Sequence, residues 1–167
     1  MRFRKYFLSI FLVVLVSLSI TTSVSPTFAG PDAVMQEDTS IQMNPYEQQV
    51  FDTINASRAA NGLKPFRYQK ALLHDARVRS VEASALWSHI RPNGSAWWTV
   101  DPDLMYSECL YYCAIDEQHP VSAADVVSAW LNSPSHRDQI LNGGLKSMAV
   151  GAYLVNGKVY VAFEGGY

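Results

Sequence analysis

The amino-acid sequence predicts an α+β fold in which helices come first and an antiparallel sheet is completed last. Helical signals occupy residues 44–87, whereas residues 148–163 form two alternating apolar and polar runs around Asn156-Gly157. Asn-Gly between two such runs is a strong signal for a β-hairpin. The chain shows neither a regular strand–helix alternation nor a glycine-rich phosphate loop, which disfavours a nucleotide-binding fold. Helices packed on an antiparallel sheet account best for this order.

The first helix has a complete start signal. Asn44 can cap it, Pro45 suits the first helical position, and Glu47 stands at the capping-box position. Asn61-Gly62 supplies the end of the helix. The sequence therefore predicts a helix from residue 45 to about residue 60.

A second helix is predicted over residues 69–87. Its inner face is marked at helical spacing by Leu72, Ala76, Arg79 or Ser80, Ala83 and Leu86. Residues 88–103 follow as a long connection in which prolines, Asn93 and Gly94 disfavour a regular helix. A loop of this length in a small domain is usually functional or a lid.

The segment 130–141 is predicted to join two helices. Residues 105–114 look extended, and a capping box at residues 122–125 opens the first of these helices. Ser133-Pro134 starts the second, which places His136 in its first turn. Unpaired N–H groups and the positive end of the helix dipole there disfavour a protonated imidazole.

The N-terminus has the three parts of a secretory signal peptide. A basic start is followed by an uncharged apolar run and by small residues that allow cleavage after Ala29. The apolar run is shorter than the ~20 residues of a spanning helix, so a membrane anchor is the weaker alternative. We divide the chain into a signal peptide (1–29), a disordered leader (30–44) and one domain (45–167).

Charge argues against several classes of partner. Removal of residues 1–29 takes away three basic residues, which leaves ten basic and fifteen acidic residues and a net charge of −5. The basic residues are scattered along the sequence, whereas a surface that binds the phosphate backbone of a nucleic acid needs clustered basic residues. We therefore expect no nucleic-acid partner. We also expect no membrane span after signal cleavage, since no other segment is apolar enough, and a monomer.

The sequence contains two cysteines, Cys109 and Cys113. In an exported chain an even pair favours a disulfide over free thiols, provided that the Cα atoms approach within about 7 Å. A metal site built on this pair alone is disfavoured because structural zinc uses four ligands.

His89, Glu108 and His136 are the residues that could carry chemistry. Two imidazoles and one carboxylate could bind a divalent metal, or form a structural hydrogen-bond network between loop and helix. Catalysis by serine has little support, since no Gly-x-Ser-x-Gly elbow is present, and His-Glu-x-x-His is absent as well.

Six segments occur in the order found in one known family. They are Ile54-Asn55-Ala56-Ser57-Arg58 with Asn61-Gly62-Leu63, Ala76-x-x-Arg79, Ser88-His89-x-Arg91-Pro92-Asn93-Gly94, Ser107-Glu108, Trp130-Leu131-Asn132-Ser133-Pro134-Ser135-His136-Arg137, and Val150-Gly151-Ala152-Tyr153. Together they resemble the CAP superfamily of SCP domains, which includes cysteine-rich secretory proteins, antigen 5 and plant pathogenesis-related proteins. The similarity is greatest to its bacterial, secreted branch.

The resemblance implies a three-layer α-β-α sandwich with a central antiparallel sheet. It also implies an open cleft with two histidines and one or two acids, which in some members binds zinc or another divalent ion. On this chain the cleft residues would be His89, Glu108, His136 and Ser133, with the two histidines as the candidate metal ligands. Ser133 falls near the second acid of the animal pattern and cannot replace it.

By this resemblance we expect a secreted binding module at or outside the cell surface, with the cell wall as one location. Its ligand would be a sterol or other lipid, a glycan, or a protein, and no cofactor would be required. The alternative is a hydrolase, such as a protease, that uses His89, Glu108 and His136 around a metal-bound water. In a third interpretation these residues are scaffold, and function resides in the loop that carries Trp97-Trp98.

Overall fold

A computed structural model of the chain describes residues 42–116, 118 and 120–167. The predicted signal peptide and most of the predicted leader lie outside the described residues. In the described ranges, none of the helices combines the length and the apolar character needed to cross a bilayer.

Two long helices come first along the chain and a β-hairpin comes last, as the sequence predicts, with one long strand before the last two helices. The elements are α1 (Pro45–Ala60), β1 (Arg67–Tyr68), α2 (Lys70–Ala85), a 3-10 helix (Trp97–Val100), β2 (Ser107–Ala114), α3 (Ala123–Asn132), α4 (Pro134–Ile140), β3 (Ser147–Val155) and β4 (Lys158–Gly166). This mixture and order confirm the α+β class.

One sheet joins the strands in the order β1-β3-β4-β2. β4 pairs antiparallel with both β3 and β2, and only the two-residue edge strand β1 runs parallel, beside β3. Asn156 and Gly157 turn the β3–β4 hairpin with φ angles of 50° and 66°. A two-residue turn needs such left-handed angles, which is why Asn-Gly is a reliable hairpin signal.

Helices cover the sheet on both faces, so the fold has three layers. On one face α1, α3 and α4 enclose the main apolar core, to which Val50, Trp130 and Phe163 belong. On the other face α2 packs against β3 and β4, with Ala83 in a small core beside Ala162. The predicted α-β-α sandwich is confirmed.

Glu47 joins three of these elements. Its carboxylate accepts hydrogen bonds from the backbone N–H of Asn44 (2.8 Å), from Arg77 Nη2 (2.7 Å) and Nε (3.1 Å), and from the backbone N–H of Ala152 (3.1 Å). The predicted capping box is present at this helix start. The same residue therefore caps α1 and ties it to α2 and β3.

Gly151 on β3 sets the distance between α2 and the sheet. A Cβ atom on this residue would lie 2.4 Å from the backbone carbon of Ala76 and the backbone nitrogen of Arg77. The helix backbone thus rests directly on the strand, as only glycine allows. This close approach brings Arg79, one turn further along α2, down onto the sheet.

The expected disulfide between Cys109 and Cys113 is wrong, since both cysteines are free. They lie four residues apart on the extended strand β2. At about 3.4 Å per residue their Cα atoms are about 14 Å apart, roughly twice the separation that a disulfide can bridge.

Candidate functional site

A buried ion pair between α2 and β2 forms the floor of the candidate site. Arg79 Nε donates to Glu108 Oε2 at 2.6 Å, and Nη2 donates to Oε1 at 3.4 Å. The side chains are 0% and 1% exposed. Burial alone would lower the pKa of Arg79, but its hydrogen bonds to Glu108 and Glu82 outweigh this effect and raise the pKa.

The guanidinium of Arg79 also anchors the loop that follows α2. Nη2 donates to the carbonyl of Ser88 at 2.9 Å, and Nη1 donates to Glu82 at 2.7 Å. Glu82 in turn accepts from Arg91 Nη2 at 2.8 Å. Burial raises the pKa of Glu82, but its bonds to Arg91 and Arg79 lower it below the usual range. Contacts at Ser88 and Arg91 thus fix the loop on both sides of His89.

His89 completes the chain of contacts that begins at Arg79. Its Nδ1 lies 2.6 Å from Glu108 Oε1, and its side chain is 53% exposed. A carboxylate paired with arginine is an acceptor, so Nδ1 carries the hydrogen in this contact. Nε2 is then the ring nitrogen that remains available to a ligand.

His136 lies in the first turn of α4, as predicted, and is half-buried. Burial lowers its pKa, and the neighbouring His89 lowers it further. The direction agrees with the prediction from the helix start, although burial is the main cause. His136 is therefore neutral at neutral pH and can accept or donate a hydrogen bond.

The two histidines and Glu108 line one cavity of about 380 Å³. Its walls are His89, Trp97, Tyr106, Ser107, Glu108, Ser135, His136 and Gln139. Ser107 Oγ donates to Gln139 Oε1 at 2.8 Å, which links β2 to α4. Ser133 does not line the cavity, and its Oγ lies 3.5 Å from Ser135 Oγ.

Aromatic rings form two walls of this cavity. Trp97 meets Trp98 edge-to-face with ring centroids 5.7 Å apart, and Tyr106 meets Tyr167 at 4.9 Å. In the described part of the chain, no lysine or arginine lines the cavity. Apart from the buried carboxylate of Glu108, the lining therefore combines aromatic surface with hydroxyl, amide and imidazole groups.

A family model for the cysteine-rich secretory protein family, CAP, matches residues 51–164. The chain belongs to the CAP family. The match includes every residue of the cavity described above.

Bacterial proteins are among the relatives of this CAP domain. YkwD of Bacillus subtilis strain 168 is 31% identical over 121 residues, which are 69% of this chain and 45% of YkwD. An extracellular SCP-domain protein of Bacillus anthracis strain Ames is 20% identical with a TM-score of 0.56, over 83% of this chain and 44% of that protein. An outer surface protein of Borrelia burgdorferi is 16% identical with a TM-score of 0.56, over 71% of this chain and 90% of that protein.

These relatives limit what can be carried over to the CAP domain. The chain spans less than half the length of YkwD and of the Bacillus anthracis protein. Likeness to solved structures at this level of identity establishes the fold. The two structural neighbours are described as extracellular and as an outer surface protein.

Glu108 does not fit the role of a third metal ligand in this CAP domain. Both of its oxygens are occupied by Arg79 and His89, and it is almost fully buried. The described residues contain no group of three or more His, Cys, Asp or Glu side chains able to hold a metal ion. Catalytic zinc sites use three protein ligands, so a zinc ion on His89 and His136 would need its other ligands from water or from a bound molecule.

Sequence reasoning missed several residues of the site. It places Arg79 on the packing face of its helix and in a family segment but assigns it no partner, although a charge on an apolar stripe indicates a buried partner of opposite charge. No local pattern points to Tyr106 or Gln139, because their place in the cavity depends on how β2 meets α4. Trp97 enters the sequence analysis only as part of a separate loop function.

Proposed function

We propose that this CAP domain is an extracellular binding module whose ligand occupies the cavity between the 88–97 loop and α4. His89 and His136 would contact the ligand through their free ring nitrogens. Arg79 and Glu108 would act beneath them as a rigid support. The domain would thus recognise its ligand without transforming it.

The saturation of Glu108 is the observation that carries this proposal. A general base must reach the proton that it removes, at about 2.6–3.2 Å or through one water. Glu108 instead accepts from Arg79 at 2.6 Å and from His89 at 2.6 Å, and is 1% exposed. Such a carboxylate positions an imidazole, as do the outer-shell partners of other histidine sites.

Neither serine of the cavity is placed as an activated nucleophile for a hydrolase. Ser107 donates its hydroxyl hydrogen to Gln139, and Ser135 Oγ lies 3.5 Å from another serine hydroxyl. Activation of a serine requires an adjacent base within hydrogen-bond reach. These contacts favour recognition over acyl transfer.

The lining favours a glycan among the three ligand classes expected for the family. Sugars present apolar faces that can pack on rings such as Trp97 and Tyr106, and hydroxyl edges that hydrogen-bond to uncharged groups such as His136 and Gln139. A sterol or acyl chain would need largely apolar walls, and an anionic ligand would need exposed cations. An extracellular glycan also agrees with the predicted signal peptide.

An NMR titration tests this proposal with named probes. We expect a tetramer of N-acetylglucosamine or of xylose to shift the resonances of His89, His136 and Trp97, with no shorter sugars released. His136→Ala should weaken binding about tenfold, which corresponds to the loss of one hydrogen bond, or about 1.4 kcal/mol. His74→Ala is the matched control, because His74 is an exposed histidine on α2 outside the cavity.

Three results would contradict the proposal. Equal binding by the His136→Ala variant and the wild type would place the ligand elsewhere. Release of shorter sugars would make the domain a hydrolase. Binding to sterol-containing vesicles without binding to either sugar would overturn the assignment to glycans.

A further inference from the structure

A second acid, Glu164, lies directly beside Glu108 inside the protein. Glu164 on β4 is the antiparallel register partner of Glu108 on β2. Directly opposed residues in such a pair have Cβ atoms about 4.5–5.5 Å apart and point to the same face. Both side chains therefore lie under α2, and Glu164 is 0% exposed.

Within the described residues, neither oxygen of Glu164 meets a hydrogen-bond donor. The charged or titratable groups around it are Glu108 on β2, Arg79 and Asp75 on α2, and Cys109 on β2. Arg79, the only cation of this set, already donates to Glu108, Glu82 and Ser88. From β3, the residue opposite Glu164 is Ala149, which brings no charge.

An ionised Glu164 would be a buried charge without a partner, next to another carboxylate. Such a charge costs several kcal/mol, and a buried carboxyl group usually avoids this cost by holding its proton. Burial raises the pKa of Glu164 well above its usual range, and Glu108 raises it further. A protonated carboxyl group is also a hydrogen-bond donor, which an ionised one is not.

We infer that Glu164 is a positioning residue of the cavity: it keeps its proton at neutral pH and donates it in a hydrogen bond to Glu108. The two acids then carry one negative charge between them, matched by Arg79. Glu108 receives donors from three sides and presents Oε1 to His89 Nδ1. This role is independent of the proposed ligand, since it concerns only how His89 is held.

The inference has a defined consequence for stability as a function of pH. Glutamate in the unfolded chain ionises near pH 4.3, whereas Glu164 in the folded protein ionises only at a much higher pH. The stabilisation is therefore complete below about pH 4.3 and declines as pH rises, until Glu164 itself ionises. Over that range the folding equilibrium constant falls tenfold per pH unit, about 1.4 kcal/mol.

Glu164→Gln tests this consequence, because glutamine keeps the shape and a donor but cannot ionise. We expect the wild type to lose stability tenfold per pH unit relative to this variant, measured by urea unfolding from pH 5 to pH 8. Asp75 is present in both proteins, so its own titration cancels. Asp103→Asn, at an exposed carboxylate, should leave the wild-type profile unchanged. Glu164→Met, which lacks a donor, should be less stable than Glu164→Gln at pH 5.

Carbon-13 NMR of the glutamate carboxyl groups tests the inference on the wild type alone. We expect the Glu164 resonance to remain at its protonated position at pH 7. The His89 Nδ1 resonance should change at the pH where Glu164 ionises, and this step should be absent in the Glu164→Gln variant. The inference would be overturned if Glu164 is ionised at pH 7, for example because an ordered water donates a hydrogen bond to it. Parallel pH profiles of stability for the wild type and the Glu164→Gln variant would also overturn it.

Discussion

Replacement of Arg79 by methionine should destabilise the protein strongly. Methionine fills much of the same space but supplies no donor, so Glu108 would keep His89 and Glu164 as hydrogen-bond donors and would have no cation beside it. Glu82 and the carbonyl of Ser88 would lose a donor as well. The substitution therefore leaves a buried carboxylate without its counter-ion.

The expected cost follows from burial and from the contacts that are lost. Removing one partner of a buried ion pair typically costs about 3–5 kcal/mol, and Arg79 and Glu108 are 0% and 1% exposed. A domain of this size is stable by about 5–15 kcal/mol, so this loss is a large part of the total. We expect a melting temperature lower by roughly 10–20 °C, with urea unfolding giving the free energy.

A double variant separates the ion pair from general damage to packing. Arg79→Met combined with Glu108→Leu removes both charges, and should recover most of the lost stability because no unpaired charge remains. Arg91→Met is the comparison, since Arg91 and its partner Glu82 are 17% and 18% exposed, and loss of a pair that water still reaches should cost less than loss of the fully buried pair. If Arg79→Met unfolds within about 1 kcal/mol of the wild type, or the double variant recovers nothing, the ion pair does not stabilise the site as described.

Three further predictions concern other parts of the fold. Gly151→Ala should cost about 2–3 kcal/mol in urea unfolding, because its Cβ meets backbone that no rotamer change can move; an unchanged midpoint would contradict the close helix–strand contact. Burial, assisted by Asp101, raises the pKa of Asp75 to about 6, so the stability of the protein falls as pH rises from the unfolded-state pKa of about 4 toward 6. The Asp75→Asn variant should therefore gain about 1–2 kcal/mol of stability relative to the wild type between pH 5 and pH 8. Equal pH profiles of the two proteins would refute this. Iodoacetamide should label half-buried Cys113 in the native protein and leave Cys109 unlabelled until the protein unfolds, because burial raises the pKa of Cys109. A disulfide, or equal labelling of the two cysteines, found by mass spectrometry would contradict this prediction.

Features with a local cause could be predicted from the sequence. The capping boxes that begin at Asn44 and Ser122 act over three residues, and both are present. The Asn156-Gly157 turn depends on the left-handed preference of those two residues, and it forms where predicted. The order of family segments predicts that His89, Glu108 and His136 meet, and the structure places all three on one cavity.

Features that depend on strand register or on helix–sheet contact could not be predicted. A Cys-x-x-x-Cys spacing suits a disulfide in a loop, but not in the extended strand that holds Cys109 and Cys113. Glu164 becomes part of the site only because β4 pairs with β2 in a register that sets it opposite Glu108. Arg79 reaches Glu108 because Gly151 lets α2 lie against β3.

The hydrogen bonds of Glu47 determine how many residues before α1 a protease could remove without destabilising the folded domain. Arg77 Nη2 bonds both Glu47 and the carbonyl of Gln42, so the backbone before α1 already belongs to the folded unit. A cut before residue 42 would leave these contacts intact. A cut after Asn44 would remove the helix cap and one of the donors to a fully buried carboxylate. Two cuts only a few residues apart, one before residue 42 and one after Asn44, would therefore differ strongly in their effect on stability.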